Sequence, residues 1–93
     1  MDHAEAEIVL ADELARYRGR SYNRLLPLLE QQETFEVTGR SGTTYQIEIE
    51  AMWDNGRGGN LRVCAYIDDG GARSLLPLTA DFIVAPDGGL IDE

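Results

Sequence analysis

The run Thr43-Thr44-Tyr45-Gln46-Ile47-Glu48-Ile49-Glu50-Ala51-Met52-Trp53 leads through a Gly-rich gap, Asp54–Asn60, into Leu61-Arg62-Val63-Cys64-Ala65-Tyr66-Ile67-Asp68. In the first run Tyr45, Ile47, Ile49, Ala51 and Trp53 alternate with Gln46, Glu48, Glu50 and Met52. In the second, Leu61, Val63, Ala65 and Ile67 alternate with Arg62, Cys64, Tyr66 and Asp68. Successive side chains of a strand point to opposite faces, so alternation bounded by turn residues marks half-buried strands, and two in tandem make a hairpin. Pairing Trp53 with Leu61 sets Ala51 by Val63, Ile49 by Ala65 and Ile47 by Ile67. The same register puts Met52 beside Arg62, Glu50 beside Cys64 and Glu48 beside Tyr66 on the opposite face.

Upstream, Phe35 and Val37 alternate with Thr34 and Glu36, and Thr38-Gly39-Arg40-Ser41-Gly42 turns the chain into the long strand. That turn length places Val37 near Tyr45 and Phe35 near Ile47. Downstream, a last strand is expected at about 81–85, after Pro77 and ahead of Pro86-Asp87-Gly88-Gly89. Residues 3–18 carry Ala4, Ile8, Ala11, Leu14 and Ala15 at three- and four-residue steps, with Leu10 and Tyr17 widening the stripe, the period of a helix. Asp2, Glu5 and Glu7 near its start and Arg16 and Arg18 near its end suit the helix dipole, and Asp12 with Arg16 forms an i,i+4 pair. Gly19 is a natural stop. Ser21 then caps a short second helix through Leu29, or the first helix continues with a kink near Gly19. The expectation is a single α+β domain over 1–93, in which the N-terminal helix covers one face of a four-stranded antiparallel β-meander.

At 93 residues the chain is one small domain that must bury most of its apolar side chains, and a 43% hydrophobic content suffices for that. No apolar run approaches the roughly 18 residues of a membrane span, and the acidic start Met1-Asp2-His3 is unlike a signal peptide. The single cysteine, Cys64, excludes an internal disulfide and suits a reducing compartment, so a cytoplasmic location is expected. Net charge is −9, and lysine is absent. That charge opposes binding to a polyanion, which needs a surplus of cations. Arg16, Arg18, Arg20 and Arg24, interleaved with Tyr17 and Tyr22, form a small basic stretch on an acidic body. Pairing within the molecule or with a protein explains it better than RNA contact.

The chemistry-bearing residues are few. His3 is the only histidine and sits near a chain end, which leaves no partner for a Cys–His or Ser–His pair. Cys64 lies mid-strand with only Arg62 nearby to activate it, and a small hydrophobe is its simpler role. Glu48 and Glu50 project from one sheet face, but into solvent rather than into the cleft that acid–base catalysis needs. The turns Asp54-Asn55-Gly56, Asp68-Asp69-Gly70-Gly71 and Asp87-Gly88-Gly89 are rich in oxygen ligands, yet turn chemistry accounts for them, and the meander places them at opposite ends of the sheet. Of these, Asp68–Gly71 is the better metal candidate. No zinc spacing, phosphate loop or dinucleotide fingerprint is present. No catalytic residue, metal ligand or cofactor is assigned.

What is left is the open face of the sheet. Met52, Cys64 and Tyr66, joined by Ile83, would form an apolar patch rimmed by Glu48, Glu50 and Arg62, the usual make-up of a protein interface. The competing expectation is that part of the helical region, or the tail Leu90-Ile91, folds over it. Trp53 would either complete the core or anchor a partner. The expected role is a non-catalytic module that binds a protein partner or a second copy of itself, without membrane or nucleic acid. The alternative is a metal-dependent or small-ligand protein using Asp68–Gly71 or Glu48 and Glu50.

The segments Tyr45-Gln46-Ile47-Glu48-Ile49, Trp53-Asp54, Ile67–Gly71, Pro77-Leu78-Thr79 and Phe82–Gly88 together resemble a family of small uncharacterised bacterial proteins. The resemblance covers roughly residues 33–93. It implies bacterial origin and a shared fold, and it carries no activity.

Overall fold

Asp2 opens the first helix of the computed structural model, which describes residues 2–70 and 78–91; Gly71 and Pro77 of the sequence motifs lie outside them. Asp2 is in extended conformation, and its carboxylate accepts the Glu5 backbone N–H at 3.2 Å. Helix α1 then runs His3–Arg18. Gly19 caps its end as expected, though in a right-handed rather than left-handed conformation, and Ser21 then takes an extended backbone that starts the next helix. The Ser21 hydroxyl accepts the Arg24 N–H at 3.3 Å and caps α2, Tyr22–Leu25, which passes into a 3₁₀ turn at Leu26–Leu29. Pro27 fits there because the first positions of a helix need no donor.

The described residues form five strands in the order β1-β2-β3-β4-β5, all antiparallel: Glu33–Thr38, Thr44–Trp53, Leu61–Asp68, Leu78–Val84 and Leu90–Ile91. The expected registers hold: Phe35 faces Ile47, Val37 faces Tyr45, and Trp53 faces Leu61. The meander has five strands rather than four because Pro86-Asp87-Gly88 makes a hairpin turn, not an ending. Gly88 N–H bonds Ala85 O at 2.8 Å, and Ala85 N–H bonds Gly89 O at 2.8 Å. The β1–β2 turn has the same build, with Gly42 N–H on Gly39 O at 3.0 Å and Gly39 N–H on Thr43 O at 2.8 Å. Gly42 at φ 92 and Gly88 at φ 91 take the left-handed position that each turn requires. The fourth strand also starts three residues earlier than expected, at Leu78.

Helix α1 packs on β3 and β4, while the 3₁₀ turn packs on β2. Tyr45, Ile47, Ile49, Leu61, Val63, Ala65 and Ile67 form the sheet side of the core, as the alternation required. The helix contributes a different face from the one expected. Ala6, Val9, Leu10, Leu14 and Tyr17 are buried, whereas Ala4, Ala11 and Ala15 are exposed and Ile8 is 63% exposed. Apolar residues occur all round this helix, so periodicity alone does not settle its rotation. Arg16 also pairs with Glu13 at 3.0 Å rather than with Asp12. No described helix is long and apolar enough to cross a membrane.

Candidate functional site

The face of the sheet away from α1 is set by the strand registers. One cross-strand row reads Met52, Arg62, Ile83, Ile91; the next reads Glu50, Cys64, Asp81; a third reads Thr34, Glu48, Tyr66, Thr79. The six residues expected on this face are therefore together. Their exposure is not uniform. Met52 is 41% exposed and Glu48 is exposed, while Glu50, Arg62 and Tyr66 are half-buried. Cys64 is only 8% exposed and Ile83 is buried, so neither offers the apolar contact expected of it. Cys64 is short, and Arg62, Tyr66, Glu50 and Asp81 stand around it. Burial pushes its thiol up, helped by the negative charges of Asp81 and Glu50, which leaves it protonated and a weak nucleophile.

Arg62 organises the row. Its Nε and Nη2 donate to Asp54 Oδ1 at 3.2 and 2.9 Å, and its Nη1 donates to Asp81 Oδ2. A residue of β3 thus ties the corner after β2 to β4, and two carboxylates hold the planar guanidinium in place. Tyr66 is fixed in a similar way: hydrogen bonding to the Glu50 carboxylate, then burial, raises its phenol above the ordinary value. Asp54 and Asp81 went unrecognised as part of this cluster in the sequence. Starting the fourth strand at Leu78 would have revealed Asp81, because that register sets it opposite Cys64.

Leu90 and Ile91 do not fold over the face. They extend it as β5, and Ile91, 41% exposed, stands across Ile83 at the far end of the row from Met52. Trp53 packs half-buried against the core and so completes it. The basic stretch is largely engaged within the molecule. Arg20 pairs with Glu33 at 3.3 Å and lies 4.2 Å over the Tyr17 ring, Arg18 lies 5.6 Å from the Phe82 ring, and the Tyr22 hydroxyl donates to Gly59 O at 2.7 Å.

The acidic turns close on themselves. Asp68 Oδ1 accepts Gly70 N–H at 2.7 Å, and Asp87 Oδ1 accepts Gly89 N–H at 2.8 Å, the bonds by which aspartate builds a turn. Among the described residues no three acidic, histidine or cysteine side chains gather as metal ligands would. Comparison with known protein families, with characterised proteins and with solved structures finds no match to this chain.

Proposed function

We propose that this chain is a non-catalytic protein-recognition module that docks a partner through the open sheet face. The observation that carries the reading is the row Met52–Arg62–Ile83–Ile91, in which two exposed apolar side chains flank an arginine already held by Asp54 and Asp81. An arginine fixed before binding loses little further freedom on association, and a central arginine among apolar groups is a common source of interface energy. Glu48 and Glu50 give the rim negative charge, which favours a basic partner surface and speeds encounter with it. A shielded, protonated Cys64 and a histidine at the exposed first position of α1 support the non-catalytic role. The single cysteine of the sequence and the motif pattern at 45–49 and 82–88 favour a bacterial cytoplasmic setting.

Capture from bacterial lysate with the wild-type chain and with Met52→Glu, alongside sedimentation of both, tests this reading. A protein retained by the wild type and lost with Met52→Glu supports it, as does a dimer that the substitution dissociates. Capture or dimerisation that Met52→Glu leaves unchanged removes the open face as the docking site. If the chain is monomeric and captures nothing, while a divalent cation or metabolite raises its melting temperature, the small-ligand reading replaces this one.

A further inference from the structure

A second surface lies along the β1 edge of the sheet. Strand β1 forms one edge of the sheet, six residues long, and none of the described strands pairs with its outer side. The bond from Gly39 N–H to Thr43 O sets the phase of the β1–β2 ladder. Antiparallel pairs alternate between bonded and non-bonded, so Glu33, Phe35 and Val37 exchange their bonds with β2, while Thr34, Glu36 and Thr38 turn N–H and C=O outward. Natural sheets usually blunt such an edge with charged side chains, proline, a bulge or a very short strand. The opposite edge, β5, has two residues. Strand β1 carries no proline, and its charges, Glu33 and Glu36, repel another acidic strand but not a basic one.

Beside this edge, α1 leans toward β3 and β4 and leaves a groove of about 550 Å³ against β1, within the range of small-ligand and peptide clefts. Val9 and Val37 contribute apolar lining, and Ile8, the most exposed of the large hydrophobic residues described, forms one wall. Glu5, Asp12 and Glu13 also line it, against the single cation Arg40. On the opposite face of β1, Glu36 adds a negative charge, its carboxylate accepting from Gln46 Nε2 at 3.0 Å.

We propose that this edge and groove take up an extended segment of a partner protein, alternating aliphatic with Lys or Arg residues, as an added strand beside β1. The outward backbone groups of Thr34, Glu36 and Thr38 supply ladder bonds, and the aliphatic side chains enter the groove against Ile8, Val9 and Val37. The basic side chains fall on the opposite face of the added strand, beside Glu36. Charge selects this occupant over a second copy of the chain: pairing two β1 edges would bring Glu33, Glu36 and the acidic rims together on molecules that each carry −9. The basic side of the site borders the open face at Thr34 and Glu36, while its apolar side lies in the groove against α1 and does not depend on Met52 or Ile91.

The test is a titration of the isotope-labelled full chain with a blocked octapeptide of alternating Arg and Val, followed by amide NMR. Shifts and slowed hydrogen exchange are expected at Thr34, Glu36 and Thr38, with weaker binding as salt rises. An alternating Glu-Val peptide should leave these amides unmoved. Glu36→Pro removes an outward N–H without touching the β1–β2 ladder and should abolish binding. Ile8→Ser, which removes the apolar wall at an exposed position without adding charge, should weaken binding roughly tenfold. The proposal is overturned if the Arg-Val peptide shifts only amides of β3, β4 and β5 or none, if the Glu-Val peptide acts equally, or if Ile8→Ser binds as tightly as the wild type.

Discussion

Tyr45 and Glu5 stand 40 positions apart in the chain, and the Tyr45 hydroxyl donates to Glu5 Oε1 at 2.6 Å. The same carboxylate accepts the Ser41 N–H at 2.9 Å and the Ser41 hydroxyl at 2.7 Å. One side chain therefore joins the first turn of α1 to the β1–β2 hairpin. These three donors, Tyr45 first, hold the Glu5 carboxyl below the ordinary 4.5. Gly39 lies so close that an added Cβ would come within 2.7 Å of that carboxyl group.

The tie makes acid stability depend on Glu5. Its folded-state pKa is lowered, so its contribution is present above about 4.5 and is lost as pH falls through the lower, folded value. Urea unfolding of the wild type and of Glu5→Gln across pH 3–7 should show the variant less stable at neutral pH, with the two curves converging in acid. A constant gap down to the lowest pH would reject the link. Gly39→Ala should destabilise the wild type yet be nearly neutral in Glu5→Ala, and a double-mutant cycle reads that coupling.

Alkali acts through phenols. Burial first and the Glu33 hydrogen bond second push Tyr17 up to about 12, and the Glu5 hydrogen bond followed by burial pushes Tyr45 up to about 12. A folded state that retains these protons is stabilised up to the ordinary value near 10, and that stability is lost as pH rises through about 12. Tyrosinate absorbance from these residues should therefore appear together with unfolding, as followed by circular dichroism. Smooth ionisation of both near pH 10 in the folded protein would contradict the structure.

Arg62 is the bond between β3 and its neighbours on the open face. Arg62→Ala leaves Asp54 and Asp81 without their shared cation and should cost about 1–3 kcal/mol, toward the lower end because both carboxylates keep some access to water. Arg62→Lys should recover only part of the loss, since an ammonium cannot reproduce the forked geometry. Urea midpoints measure both. A loss in Arg62→Ala no larger than that of an exposed surface change would remove the clamp as a structural element.

The rotation of α1 has its own test. Leu14→Ala opens the core and should cost about 2–5 kcal/mol, whereas Ile8→Ala should fall within about 0.5 kcal/mol of the wild type. Equal costs would mean that α1 packs through its other face.

The open-face residues were legible because strand pairing is digital. A period of two and a turn of known length place Glu48, Glu50, Met52, Arg62, Cys64 and Tyr66 on one side without any knowledge of the helix. Their energetic roles were not legible. Cys64 and Ile83 share that face with Met52 yet are shielded, because neighbouring strands bring taller side chains around them. The Arg62 clamp draws on Asp54 and Asp81, 8 and 19 positions away.

By itself, then, the amino-acid order determined the antiparallel meander, the registers of β1 with β2 and of β2 with β3, and the sheet half of the core, since alternation and turn chemistry act over a few residues. The helix face, the Glu5–Tyr45 tie, the groove beside β1 and the short fifth strand were decided only in the folded chain. Helix α1 is apolar on several sides, so its rotation follows from what the sheet offers and from where Ser41 and Tyr45 meet Glu5. Two residues such as Leu90 and Ile91 become a strand only when a turn presents them to the edge of β4, and that edge exists only once the other strands are in place.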